Sequence, residues 1–223
     1  MNLALDFSFY NWDLIQNFII KGLYFSVLLT IVATLGGIFF GTLLALMRLS
    51  GKPWLAGPAT VYVNGMRSIP LVMVILWFFL LVPLVIGRPI GAELSAVITF
   101  IAFEAAYFSE IMRAGIQSIP RGQVFAGQAL GMTRGQVMRR VVLPQAFKRM
   151  VPPLVSQSIM QLKNTSLLSV LAVPDLLYQG QVIAHDNYRP LEVYTLVAVA
   201  YFLILLPATL WAKRLEQNHT KGA

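Results

Sequence analysis

The 223-residue sequence contains no cysteine, which excludes disulfides, thiolate metal sites and cysteine nucleophiles. Charge is scarce: Asp, Glu, Lys and Arg make up 12% of the chain, about half the share usual for a soluble domain. The two histidines, His185 and His219, lie far apart in polar stretches. Neither stands at metal-ligand spacing from a partner, and both read as solvated residues. No Gly-x-x-x-x-Gly-Lys loop occurs, so the phosphate cradle that this motif builds is missing. The first twenty residues hold Asp6 and Asp13 but neither Lys nor Arg. A cleavable secretory leader needs a basic start before its apolar stretch, so the N-terminal segment is expected to stay attached. Long polar intervals are missing too. The longest, about Gln117 to Arg140, has room for one or two short helices and none for a separate soluble enzyme.

Apolar residues, in contrast, make up 57% of the chain. They gather into five segments, at about 22–47, 58–86, 94–112, 150–173 and 193–212. Twenty helical residues rising about 1.5 Å each cross a hydrocarbon layer of roughly 30 Å. The expectation is therefore an all-α membrane protein with about five transmembrane helices, residues 1–223 forming a single transmembrane domain. Gly36, Gly37 and Gly41 in the first segment are small residues that let helices approach closely in lipid. Pro70 and Pro83 lie in the second, and Pro70 is expected to bend or interrupt it.

A formal net charge of +8 invites a nucleic-acid reading, but the distribution excludes it. Positive residues cluster in alternate gaps between apolar segments. One set of gaps holds twelve: Arg48, Lys52, Arg113, Arg121, Arg134, Arg139, Arg140, Lys148, Arg149, Lys213, Arg214 and Lys221. The other holds three, Lys21, Arg88 and Arg189, while Arg67 and Lys163 fall within segments. Lys/Arg-rich gaps stay on the cytoplasmic side. Five spans then place the N-terminus outside and the C-terminus inside.

The most informative stretch lies in the longest cytoplasmic gap, at about 117–145. Thr133 followed by Gln136 forms a capping box, a helix start signal. Gly131 stands just before it, where one helix stops and the chain turns. The expected structure is helix, tight turn, second short helix. Ala126, Gly127 and Ala129 on the first helix would let another surface come close.

This stretch resembles the cytoplasmic loop of permease subunits of type I ATP-binding-cassette importers. That loop reads Glu-Ala-Ala, three residues, Gly, nine residues, Ile, any residue, Leu-Pro. Here Phe125-Ala126-Gly127 takes the Glu-Ala-Ala place, Gly131 follows at the same spacing, and Val141-Val142-Leu143-Pro144 closes it. Phe125 replaces the family's glutamate, Gly127 its second alanine and Val141 its isoleucine. The resemblance implies the type I importer permease fold, with this loop as a coupling helix that docks into a groove on an ATPase. Gln123, Phe125, Ala126, Gly127, Ala129, Leu130 and Gly131 would form that coupling surface, held by packing and backbone contacts where the family's acid is absent.

Further runs extend the resemblance over nearly the whole chain. Arg67-Ser-Ile-Pro-Leu71, Glu110-Ile-Met-Arg-Ala-Gly-Ile-Gln-Ser118 and Lys163-Asn-Thr-Ser-Leu167 look like the polar amino-acid branch. Phe103-Glu-Ala-Ala-Tyr-Phe-Ser-Glu110 looks most like its glutamate/aspartate members. Many relatives read Lys-Asp-Thr-Ser where this chain reads Lys163-Asn164-Thr165-Ser166, which removes one acid that would repel an anionic cargo. The resemblance implies a bacterial inner-membrane subunit that is not an enzyme and holds no cofactor. Its partners would be a pair of ATPase subunits that bind ATP, a second permease (identical or different), an external substrate-binding protein and an amino-acid substrate. Glutamate or aspartate is the expected cargo, with glutamine, histidine or another polar amino acid as the alternative.

Ionisable residues within spans are costly and by default face a bundle interior or a water-filled path. Arg67, Glu104, Glu110 and Lys163 are such residues. Arg67, Ser68, Glu104, Lys163, Asn164 and Thr165 are the candidate substrate pathway. For Arg67 and Glu110, snorkelling to the cytoplasmic surface is an equal reading. For Glu104 and Lys163 the alternative is an ion pair that only ties two helices together. An intramembrane enzyme is disfavoured because no His pair, Ser/Lys dyad or carboxylate pair stands at catalytic spacing. An ion-coupled transporter usually carries inverted repeats, which five unequal segments do not show. Pro174 to Pro190 reads as an outer loop, either solvated or a docking surface for the binding protein.

Overall fold

Helix breakers and caps divide the chain into its elements. The computed structural model describes residues 6–220, with the side chains of 218–220 excepted. Lys221, and the side chain of His219, therefore lie outside the described residues. Among the described residues there is no strand, and eight helices carry the structure.

Asn11 starts α1 (Trp12–Leu49): its Oδ1 accepts a hydrogen bond from the Leu14 N–H at 2.7 Å. The helix thus begins well before the expected boundary near residue 22. A widened π-turn over Ile15–Ile20 leads into the regular part. Lys21, read as a flank, sits inside the helix. It is exposed, and its Nζ donates to Asn17 Oδ1 at 2.8 Å.

The second apolar segment is two helices, α2 (Pro53–Ser68) and α3 (Leu71–Ile86). The chain turns through 115° between them. The cause is the expected one: Pro70 offers no N–H and forces the residue before it out of helical geometry. Ile69 is accordingly extended, with φ −106° and ψ 136°. α4 (Ala92–Gln117) follows, then α5 (Arg121–Ala129).

α6 runs unbroken over Arg134–Leu171. The expected second short helix after Gly131 is therefore no separate element. It passes through a π-turn at Met138–Val142 straight into the fourth apolar segment. The widened turn stands directly before Pro144, which lacks the N–H that a regular α-turn requires.

The expected outer loop is a helix, α7 (Leu176–Asn187). Asp175 caps it, accepting from the Leu177 and Tyr178 N–H groups at 3.0 Å each. Leu176, Gly180, Ile183 and Ala184 are buried. Their spacing is helical, and that face was masked by the flanking proline and charges. α8 (Pro190–Thr220) ends the described chain.

Among the described residues three helices, α1, α4 and α8, are individually long and apolar enough to cross a membrane, and the total reaches five when each of the two bent pairs is counted as one span. Burial distinguishes them. In the most apolar stretch of α4, 56% of residues are buried, against 22% in α1 and 11% in α8. α4 is an interior helix, whereas α1 and α8 offer apolar surface outward, as a lipid solvent allows.

The chain forms two compact units that share these helices along their length. The first comprises the residues up to Thr34, Pro70–Phe100 and Ile159–Ala208. Its core gathers Ile19, Leu176, Ile183, Ala184, Val193 and Val197. At its edge Arg189 bridges Asp6 at 3.3 Å and Glu192 at 3.4 Å. Hydrogen bonds from Ser8 hold the Asp6 carboxyl below its usual range, with Arg189 adding to the effect. The second unit comprises Leu35–Ile69, Ile101–Ser158 and the residues from Thr209. There α1 packs on α4 through the expected glycines. A Cβ added at Gly37 would stand 2.8 Å from both Glu104 Cβ and Phe108 Cδ2, so only glycine permits this approach. A satellite core of Ile119, Val137, Val142, Ala146 and Met150 underlies α5 and the start of α6.

Candidate coupling surface and intramembrane polar groups

The turn between α5 and α6 has the expected chemistry. Gly131 adopts φ +80°, a left-handed conformation open to glycine at no steric cost. Its N–H donates to Gln128 O at 2.9 Å, and the Met132 N–H to Gly127 O at 3.1 Å. The capping box is complete: Thr133 N–H donates to Gln136 Oε1 at 2.8 Å, and Gln136 N–H to Thr133 Oγ1 at 3.3 Å. A Cβ at Gly131 would meet nothing within 4 Å, so backbone conformation alone requires glycine here.

α5 turns Val124 and Gly127 toward the satellite core and the rest of its surface outward. Gln123, Ala126, Ala129 and Gly131 are exposed. Phe125 is 63% and Leu130 83% exposed. Two large apolar side chains thus project outward, one from the short helix and one from its C-terminal end, where the turn is hydrogen-bonded. Gly127 departs from the expected set. It is buried, and its closest neighbour is Val137 of the same chain, 3.0 Å from a Cβ added there. The small residue serves internal packing of α5 on α6, not the outer face.

The candidate pathway residues divide between the two units. Arg67, Ser68 and Glu104 lie in one, Lys163, Asn164 and Thr165 in the other, so neither unit gathers all six. Glu104 is fully buried. Both its oxygens accept from Gln157 Nε2 at 3.2 Å. This amide takes the place of the ion pair with Lys163 weighed from the sequence. Lys163 is exposed. Asn164 is half-buried, and Thr165 is buried with its hydroxyl donating to Leu162 O at 2.8 Å. Ser68 is exposed, its hydroxyl spent on Asn64 O at 2.7 Å.

Glu110 is the centre of a charged cluster. Its Oε2 accepts from Arg48 Nη1 at 2.8 Å and lies 3.3 Å from Arg113 Nε. Arg113 Nη2 bonds Oε1, and Arg67 Nη1 approaches Oε2 to 3.5 Å. The Arg67 guanidinium also lies over the Tyr107 ring, 5.5 Å from its centroid, within cation–π range. Arg67 and Glu110 therefore do more than snorkel independently.

Sequence reasoning missed Arg48, Arg113, Gln157 and Gln161. Arg48 counts among the basic residues of the cytoplasmic gaps, yet its side chain is only 8% exposed. Gln161 is fully buried, and neither of its amide atoms has a hydrogen-bond partner among the described residues. A signal for the glutamines was present. Gln157, Gln161 and Thr165 recur at a spacing of four along an apolar segment, which puts them on one helix face.

Comparison with known proteins agrees with this architecture. The chain matches the family described as "Binding-protein-dependent transport system inner membrane component" over residues 37–221. It is 43% identical over 208 residues to the glutamate/aspartate import permease protein GltK of Escherichia coli O6:H1, covering 90% of this chain and 93% of that protein. The probable glutamine ABC transporter permease protein GlnP of Bacillus subtilis is 34% identical, covering 91% and 94%. Among solved structures, that of an amino acid ABC transporter with histidines superposes with a TM-score of 0.86 at 32% identity, covering 91% of this chain and 94% of the other. An inward-facing MetNI methionine ABC transporter shares the fold, with a TM-score of 0.71 at 19% identity and coverage of 90% and 97%. On the family match and these relatives, the chain belongs to the inner-membrane permease family of binding-protein-dependent transport systems.

Proposed function

We propose that this chain is the membrane subunit of an ATP-driven importer of amino acids, with glutamate or aspartate as cargo. The observation that carries the reading is the 43% identity to a glutamate/aspartate import permease along 90% of the chain. The helix-turn-helix bearing Phe125 and Leu130 supports the mechanism. Its hydrogen-bonded turn and exposed apolar side chains suit an element that passes movement between an ATPase and the spans. A pair of ATPase subunits binds and hydrolyses ATP, and this chain supplies no catalytic group and holds no cofactor. A second permease, identical or different, completes the translocation path, and an external binding protein delivers cargo. The Lys/Arg asymmetry of twelve against three supports an N-terminus outside and a C-terminus in the cytoplasm.

The path would be lined by Arg67, Ser68, Glu104, Lys163, Asn164 and Thr165. An acidic amino acid carries net negative charge, and a cation in a poorly screened path attracts it more strongly than one in water. Lys163 and Arg67, both exposed, supply such cations. Glutamine is the second reading, favoured by the glutamine permease relatives. The test is ATP hydrolysis by the purified complex with its binding protein and, in turn, glutamate, aspartate, glutamine and arginine. Stimulation by the two acids, reduced in Lys163→Met with the complex still assembled, supports the acidic cargo. Stimulation by glutamine alone shifts the assignment to the second reading. A response to arginine alone sinks the acidic reading and points to Glu104 as a direct contact.

A further inference from the structure

The cluster around Glu110 is unbalanced. Three guanidinium groups, from Arg48, Arg67 and Arg113, converge on one carboxylate, leaving two formal positive charges uncompensated. Arg113 spends three of its five N–H groups, Nε and Nη2 on Glu110 and Nη1 on Gln117 Oε1, which leaves two for another acceptor. Glu110 is crowded as well, since Oε2 faces all three arginines. A carboxylate offers about four lone-pair positions, and most of these are taken. The Nε of Arg48 is enclosed and has no hydrogen-bond partner among the described residues, although its side chain is only 8% exposed. Leaving a buried donor unpaired is costly, more so on a charged group. Arg67 is the loosest member, 3.5 Å from Glu110 and 36% exposed. Its guanidinium lies 5.5 Å from the centroid of the Tyr107 ring, a contact that uses none of its N–H groups as donors to oxygen.

We propose that Arg48, Arg67 and Arg113 form a binding site for a second oxyanion, a phosphate or carboxylate group, seated beside Glu110. An oxyanion would accept the free N–H groups of Arg67, which guanidinium forks bind in bidentate fashion. It would also compensate the excess positive charge around Arg48. Two sources present this chemistry. One is an anionic lipid headgroup. Leu43 and Leu46 on the Arg48 helix are exposed apolar residues, as is Trp54, with Lys52 over its ring, a composition suited to the membrane interface. The other is a soluble anion. Glu110, Ser118 and Arg149 border an open recess of about 400 Å³, so solvent reaches the Glu110 side of the cluster. Arg67 is shared with the proposed cargo path, so the probes below contain no amino acid and read this site apart from the cargo.

The experiment uses the permease purified with its partner subunits. In one arm the delipidated complex is titrated with inorganic phosphate, against sodium chloride at matched ionic strength, and thermal unfolding is followed. In the other it is placed in phosphatidylcholine bilayers with or without phosphatidylglycerol, and the same unfolding and retained lipid are measured. The wild-type midpoint should rise with at least one probe. Arg67→Gln should need roughly tenfold more of that probe for the same rise, because one charge-assisted pair is lost. Arg67→Lys should restore part of the difference. A response to phosphate assigns a soluble source, and one confined to phosphatidylglycerol a lipid source. The proposal is overturned if neither probe acts beyond matched chloride, or if Arg67→Gln responds at the wild-type concentration.

Discussion

Replacing Gly131 isolates the contribution of one backbone conformation to coupling. Its φ of +80° lies in the left-handed region, and a side chain there would meet nothing within 4 Å. Any penalty is therefore torsional and not steric. For an L-residue the left-handed conformation costs about 1–2 kcal/mol, and valine, being β-branched, belongs at or above the upper end. That corresponds to a change of roughly five- to thirtyfold in the population of the native turn. Asparagine tolerates the same conformation well, so it adds a side chain with little strain. The series Gly131→Asn, Gly131→Ala and Gly131→Val should therefore lose function in that order. The assay is the permease–ATPase complex in vesicles, measuring binding of the ATPase subunit and cargo imported per ATP hydrolysed. Valine should weaken docking or lower the import-to-hydrolysis ratio by up to the stated factor, with the protein still in the membrane. Normal coupling by the valine variant at normal abundance would refute the reasoning. A loss as large in Asn as in Val would show that the partner's surface, and not the turn, excludes a side chain.

Four further outcomes are expected. Gly37→Leu would drive side-chain atoms into Glu104 and Phe108, 2.8 Å from the first added carbon. It should destabilise the protein by about 1–3 kcal/mol or more, read as a lowered thermal midpoint in detergent, and an unchanged midpoint would contradict the packing. Gln157→Leu removes the donor to buried Glu104 and should impair both stability and transport, with Glu104→Gln in the same background recovering stability; no recovery would show that the unpaired carboxylate is not the cause. Asp175→Ala deletes the α7 cap and should cost about 1 kcal/mol in a thermal-unfolding comparison with Asp175→Asn, which keeps a capping oxygen. A reporter fused after Ala223 should be active only if it functions in the cytoplasm, and activity of a periplasmic reporter there would overturn the five-span orientation.

The sequence by itself determined those features that depend on short-range chemistry. The five apolar segments follow from the length of chain needed to cross hydrocarbon, and the break at Pro70 from a missing N–H and the restriction on Ile69. The Gly131 turn and the Thr133–Gln136 box follow from interactions at most five residues apart. Glycine at 37 announced a close approach, though not the partner. Only tertiary structure decided what met what. Glu104 found Gln157 instead of Lys163 because the choice depends on helix rotation and depth, which hydropathy does not encode. Arg48 stood only as one of the cytoplasmic-gap charges, and the packing of its helix put it on Glu110. The stretch after Pro174 carried loop-like punctuation, yet Asp175 capped it and its apolar face found a core. The start of α6 likewise fused with the following span, through a π-turn that stands just before Pro144. Local rules set where helices begin and bend. Partners of buried polar groups are set by long-range geometry, because each such group must be satisfied by whatever the fold brings within hydrogen-bonding distance.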